Sequence, residues 1–336
     1  MSGDQTIQSI RQQFPILKKT IHNKPLVYFD NAATTQKPQR VLDAITNYYT
    51  QHNANIHRGV HQLAEESTDI WEQSRQQVAA FFKAQPEELI VTRNTTEPLN
   101  LLARGWGEHK VGEDDVIAVS LSEHHSNFVP WQMLAKKNRA QFYTLPITAE
   151  GLLDLDAVKD FIKRHKDHLR VLSIQHASNT LGSLNDIAAI QQMLVDLKIR
   201  QRVLFSVDAA QSAAHTPIDF HRWGIDALAF SGHKMYGPMG LGGLLIRRER
   251  LNDFEPVLYG GGMIGTVMVD ETTFAEDVQD RFTAGTPDVA SLYGLAEAFS
   301  FLQEIGWSGI VQHEQELTQY ALDQLHNLPE VTVVGP

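Results

Sequence analysis

The chain has 336 residues, 42% hydrophobic and 21% charged, a composition that suits a folded globular protein with a sizeable core. A formal net charge of −11 argues against a general polyanion binder, and so against nucleic acid as a partner. Zero cysteines exclude disulfides, thiolate metal sites and a cysteine nucleophile within these residues.

The opening "MSGDQTIQSIRQQFPILKKT" lacks the apolar core of a signal peptide, and no apolar run is long enough to span a bilayer. The expected location is cytoplasmic, with no membrane partner. "ESTDIWEQSRQQVAAFFKA" places Ile70, Ser74, Val78, Phe81 and Phe82 along one helical face, with Glu65, Glu66 and Asp69 near its start. Six short apolar runs then read as strands: Glu88 to Thr92, Asp115 to Ser120, Arg170 to Gln175, Val203 to Asp208, Asp226 to Ser231 and Gly242 to Arg247. They are nearly continuous in apolar residues, as strands buried on both faces should be. Helix-length segments separate them, such as Asp186 to Ile199, and the alternation predicts an α/β fold around a mainly parallel sheet. The glycine-rich "YGGGMIGT" (Tyr259 to Thr266) reads as a loop leaving that sheet. Past Ser291 the pattern turns helical, and it ends in a strand-like "EVTVVGP". The predicted division is an arm at residues 1–20, a large domain at 21–269, and at 270–336 a linker with the start of a small, incomplete α/β domain.

Ligands of open α/β sheets sit beyond the carboxyl ends of the strands, so the residues that follow each strand are informative. After the first come Thr95 and Thr96, opening a helix with Pro98 in its first turn. They suit a phosphate, or serve as an ordinary helix cap. After the second come His124 and His125. Neither this pair nor His57 with His61 brings a full ligand set, so no metal is expected, and a flat imidazole against a ligand ring is the better functional reading. Asn179 follows the third strand. Asp208 ends the fourth, with Gln211 three residues on, and a carboxylate there is costly to bury without a cationic partner. The fifth ends at Ser231 and delivers His233 and Lys234. One ligand accounts for all of these: an anionic phosphate, a protonated ring nitrogen for Asp208, a ring oxygen for Asn179 and Gln211, a flat face for His124 and an aldehyde for Lys234. Pyridoxal 5'-phosphate has those features.

The segments "YFDNAATTQKP", "NIHRGVHQLAEEST", "TTEPLNL", "EHHSNFVPW", "VDAAQS", "SGHKMYGPMGLGGL" and "AGTPD" resemble, in unbroken order, the class V aminotransferase-fold enzymes. More narrowly, they resemble cysteine desulfurases of the SUF-associated, selenocysteine lyase-like group. The resemblance implies a fold type I pyridoxal phosphate enzyme. Lys234 would bond to the cofactor aldehyde and Asp208 would pair with the pyridine nitrogen. Gln211 and Asn179 would contact the ring oxygen, and His124 would stack on the ring and act in proton transfer. Thr95, Thr96, Ser231 and His233 would hold the phosphate. Thr286 would reach the phosphate across a homodimer interface. Ala32 and Ala33, with Asn179, would line the substrate side.

The implied reaction takes L-cysteine to L-alanine and passes sulfur to an acceptor protein for iron–sulfur cluster assembly. The family's cysteine nucleophile and its substrate-binding arginine would both lie beyond Pro336, so a truncated chain is expected. Selenocysteine lyase or another transaminase-type reaction is the alternative chemistry, and an inactive cofactor-binding fragment is the non-enzymatic one.

Overall fold

In the computed structural model, which describes residues 6–57 and 59–336, the six apolar runs all form strands of one sheet. They are β1 (Leu89–Thr92), β2 (Val116–Ser120), β4 (Leu169–Gln175), β5 (Leu204–Asp208), β6 (Ala227–Ser231) and β7 (Gly242–Ile246). A seventh, β3 (Gln141–Leu145), pairs parallel to β2 at the sheet edge. Only its last residue, Leu145, is buried, so its sequence lacks the continuous apolar run of its neighbours. The order is β1-β7-β6-β5-β4-β2-β3, parallel except where β7 runs antiparallel to both β1 and β6.

Two apolar layers cover the faces. On one, α1 (Gln39–Asn47), α2 (Gln62–Phe81) and a later helix, Val289–Ile305, pack together around Trp71, Val78, Phe82 and Phe299. The rings of Phe81 and Phe299 stack with centroids 4.1 Å apart. The helix at Val289–Ile305 thus sits within the main core, although it belongs to the segment 270–336 set aside above for a linker and second domain. On the other face, α3 (Thr96–Leu101) and α4 (His125–Asn138) bring Leu99, Trp131 and Leu134 against the sheet. Each of these large side chains contributes about 1.5–3 kcal/mol on burial.

Two local expectations need correction. Part of "YGGGMIGT" is a strand, Ile264–Val267, which pairs antiparallel with Thr272–Phe274 in a hairpin. The strand-like "EVTVVGP" forms no strand, because its backbone finds no partner strand among the described residues. It follows a long helix, Trp307–His326, that has no buried residue. No helix among the described residues is long and apolar enough to cross a membrane.

Candidate active site

The strand ends meet as the topology requires. A cavity of about 550 Å³ opens at the carboxyl ends of β4, β5 and β6. Its wall brings together Thr95, Thr96, His124, Asn179, Asp208, Gln211, Ser231, His233 and Lys234, with Ala32 and Ala33 at one side. Thr286 does not reach it. That residue lines a separate cavity of about 220 Å³ with His57, Trp71, Gly262 and Asp280.

Each wall residue has a local cause. Where β1 ends, Asn94 caps α3, its Oδ1 accepting from the amides of Thr96 (2.9 Å) and Glu97 (3.2 Å). Asn is a preferred cap, and with that role filled the two threonine hydroxyls are left for the cavity. Thr95 Oγ1 lies 2.7 Å from Ser231 Oγ, and Thr96 Oγ1 lies 2.7 Å from Ser126 Oγ. The result is a cluster of hydroxyls from the starts of α3 and α4 and the end of β6, suited to the oxygens of a phosphate. A Cβ at Gly242 would fall 2.8 Å from Asn94 Cα and 2.4 Å from the Phe230 carbonyl oxygen, so only glycine lets β7 and the Asn94 loop approach this closely.

A comparison of two buried carboxylates locates the chemistry. Asp226, at the far end of β6, accepts from Arg200 (2.8 Å), Arg250 (3.0 Å) and the Phe205 amide (2.7 Å), so its charge is matched. Asp208 is 5% exposed, and its carboxylate accepts only from the Ala210 amide, at 2.8 Å, among the described residues. Burial pushes its carboxyl up to about 6, against the pull of that amide and of Lys234. Lys234 is lowered by burial, with Asp208 acting in the opposite sense. A deeply buried acid with one amide for company suits a cationic ring nitrogen far better than it suits an apolar core.

The sign of the Asp208 shift gives a test without any ligand. Folded protein holds this proton more tightly than the unfolded chain, whose aspartates ionise near 3.9. The stability it contributes is therefore full below about pH 4 and lost as pH rises through about 6. Asp208→Asn keeps the acceptor for Ala210 and removes the ionised form. The cofactor-free variant is expected to gain up to about 3 kcal/mol at pH 7, with no gain at pH 4. Denaturant unfolding at the two pH values checks this, and equal stability at pH 7 would contradict it.

Several participants escaped the sequence reading. Glu123 lies buried beside the site, accepting from the Gln175 amide (2.7 Å) and from Asn127 (2.7 Å). Burial raises its carboxyl well above the ordinary range, those two donors oppose the rise, and Asp208 adds to it. Its signal was an acid placed just past an apolar strand. The second set lies in "TTQKP". The carbonyl of His233, the peptide leading into Lys234, accepts from the Thr35 amide (3.0 Å), Thr35 Oγ1 (3.0 Å), Thr34 Oγ1 (3.1 Å) and Lys37 Nζ (3.1 Å). Thr35 Oγ1 also accepts from the Tyr236 amide at 2.8 Å. Burial takes the Lys37 amine down to about 8. This clamp fixes the backbone that leads into Lys234 from outside the sheet. Gln211, placed by sequence on a ring oxygen, donates its side-chain amide to the Ala32 carbonyl at 2.9 Å.

An amine lowered by burial, an acid held close to it, clustered hydroxyls and an imidazole on one cavity of this size fit pyridoxal 5'-phosphate. No group of three or more potential metal ligands occurs among the described residues.

Comparison with known proteins agrees. Residues 27–336 match the family described as aminotransferase class-V, whose members depend on pyridoxal phosphate. A protein of Halalkalibacterium halodurans named probable cysteine desulfurase is 41% identical over 97% of this chain and 79% of its own length. The apo structure of a cysteine desulfurase from Thermococcus onnurineus NA1 superposes with a TM-score of 0.92 at 36% identity, over 100% of this chain and 80% of that one. The cysteine desulfurase CsdA of Escherichia coli gives 0.80 at 34% identity, over 91% of this chain and 74% of that one. The chain belongs to the class-V aminotransferase family of enzymes, on its cysteine desulfurase-like branch.

Proposed function

We propose that the cavity holds pyridoxal 5'-phosphate and that the chain is built for L-cysteine desulfuration, giving L-alanine and transferable sulfur. The observation that carries the reading is the convergence of Lys234 and the nearly unpartnered Asp208 on one cavity with the Thr95, Thr96 and Ser231 hydroxyls.

In this reading Lys234 is the covalent anchor, and Thr95, Thr96, Ser231 and His233 hold the phosphate. Asp208 keeps the ring nitrogen protonated, Asn179 and Gln211 serve the ring oxygen, and His124 covers the ring. When bound, the cofactor supplies an electron-withdrawing ring that stabilises negative charge left at the substrate α-carbon. Lys234, its amine made less basic by burial, is placed to take and return the α-proton. Sulfur leaves when an acceptor thiolate attacks the substrate sulfur. The carbon–sulfur bond pair stays on carbon and is protonated, so one thiol becomes a persulfide and cysteine becomes alanine. Ala32 and Ala33 border the substrate position.

The rest of the proposal concerns the setting: a cytoplasmic homodimer, with Thr286 serving the partner's phosphate site, and a sulfur-acceptor protein linked to iron–sulfur cluster assembly. The domain limits 1–20, 21–269 and 270–336 belong to the same proposal. Selenocysteine lyase or another transaminase-type reaction is the alternative chemistry on the same scaffold. Selenolate leaves more readily than thiolate and depends less on a thiol nucleophile.

Exchange of the substrate α-proton tests the core of the reading, since it needs the cofactor, Lys234 and Asp208 but no thiol. Protein supplied with pyridoxal 5'-phosphate in deuterated buffer is expected to label the α-carbon of L-alanine, read by proton NMR. Absence of exchange despite bound cofactor would refute it.

A further inference from the structure

His124 begins α4 with non-helical torsions (φ −62°, ψ 147°), and its ring caps that helix. The backbone amide of Ser126 donates to His124 Nδ1 at 3.1 Å. A backbone N–H can only donate, so Nδ1 must offer a lone pair. Ser126 Oγ stands 3.0 Å from the same nitrogen and 2.7 Å from Thr96 Oγ1, so its proton can be shared between them without a change at Nδ1. Among the described residues Nε2 makes no hydrogen bond, and the ring borders the cavity.

We propose that Ser126 is a positioning residue whose backbone amide fixes His124 in the Nε2–H tautomer, so that this imidazole presents a hydrogen-bond donor to the cavity and does not act there as a base. With Nε2 already protonated, the ring can gain a second proton only at Nδ1. That step breaks the helix cap and sets a cation against the positive end of α4. The ionisable neighbours act the same way: burial lowers the basicity of His124, and the charges of Lys234 and His125 lower it further. Neutral imidazoles at helix N-termini work elsewhere as donors for this reason. Proton movement at the substrate then falls to Lys234, a division of labour that rests on the proposed function above. The tautomer itself does not depend on it.

The test is a long-range proton–nitrogen correlation spectrum of the full chain carrying ¹⁵N-histidine, recorded cofactor-free and after loading with pyridoxal 5'-phosphate. Comparison with His124→Gln assigns the ring. Wild type is expected to show unprotonated Nδ1 and protonated Nε2, the second tautomer being at least about tenfold rarer. Ser126→Pro removes the amide at a first-turn position that tolerates proline, and should let the two tautomers mix. Ser126→Ala keeps the amide and should retain the wild-type spectrum. Protonated Nδ1 in wild type would overturn the proposal, as would a Ser126→Pro spectrum identical to wild type. Because the cofactor-free spectrum decides the matter, failed cofactor binding would count against the proposed function and leave this inference standing.

Discussion

Lys234→Ala should leave a folded protein with no covalently held cofactor. Wild type treated with pyridoxal 5'-phosphate and borohydride is expected to carry the reduced pyridoxyl group on Lys234, located by peptide mass spectrometry. The variant is expected to carry none there. α-Proton exchange should fall by at least about 10²–10⁴-fold, the range supplied by a positioned acid–base group. The main competitor for the label is Lys37, whose amine burial brings down to about 8 and so makes a nucleophile near neutral pH. Lys37, however, is spent on the carbonyls of Thr35 and His233, and it is not part of the cavity wall. A label on Lys37 in wild type, or exchange surviving in Lys234→Ala, would show that the anchor has been misassigned.

The second large effect concerns sulfur. A persulfide needs a thiolate, and none of the 336 residues can provide one. Protein of this sequence loaded with cofactor is therefore expected to exchange α-protons yet to release alanine from L-cysteine only slowly when the one thiol present is a second molecule of the substrate itself. Added thiol should raise that slow release, with a first-order dependence on thiol. It should remain far below the rate of a tethered nucleophile, since effective molarities in well-oriented systems reach about 10⁵–10⁸ M. Fast release independent of thiol would require a route to carbon–sulfur cleavage that no side chain here explains.

Much of this was legible because buried parallel strands write themselves plainly. Continuous apolar runs such as Val203 to Asp208 can be satisfied only between two covered faces, and their ends then mark the site. Gln141–Leu145 was not legible, since an edge strand needs no such run. Asn94 could have been recognised, because asparagine just ahead of a helix is a capping signal in its own right. Thr34, Thr35 and Lys37 could not: their target is a carbonyl nearly two hundred residues away, and backbone acceptors leave no mark in the sequence. The role of Ser126 was hidden for a similar reason, as its amide rather than its side chain meets His124.

The clamp on His233 also has a bearing on biosynthesis. Residues Thr34 to Lys37 leave the ribosome ahead of their carbonyl partner, which follows 196 to 199 positions later. At roughly 5–20 residues per second they wait about 10–40 s without their dock. The nearby Val27 and Phe29 are 70% and 95% exposed even in the folded structure. The turn that carries Lys234 is held only when an earlier segment of the chain folds back onto one made nearly two hundred residues later.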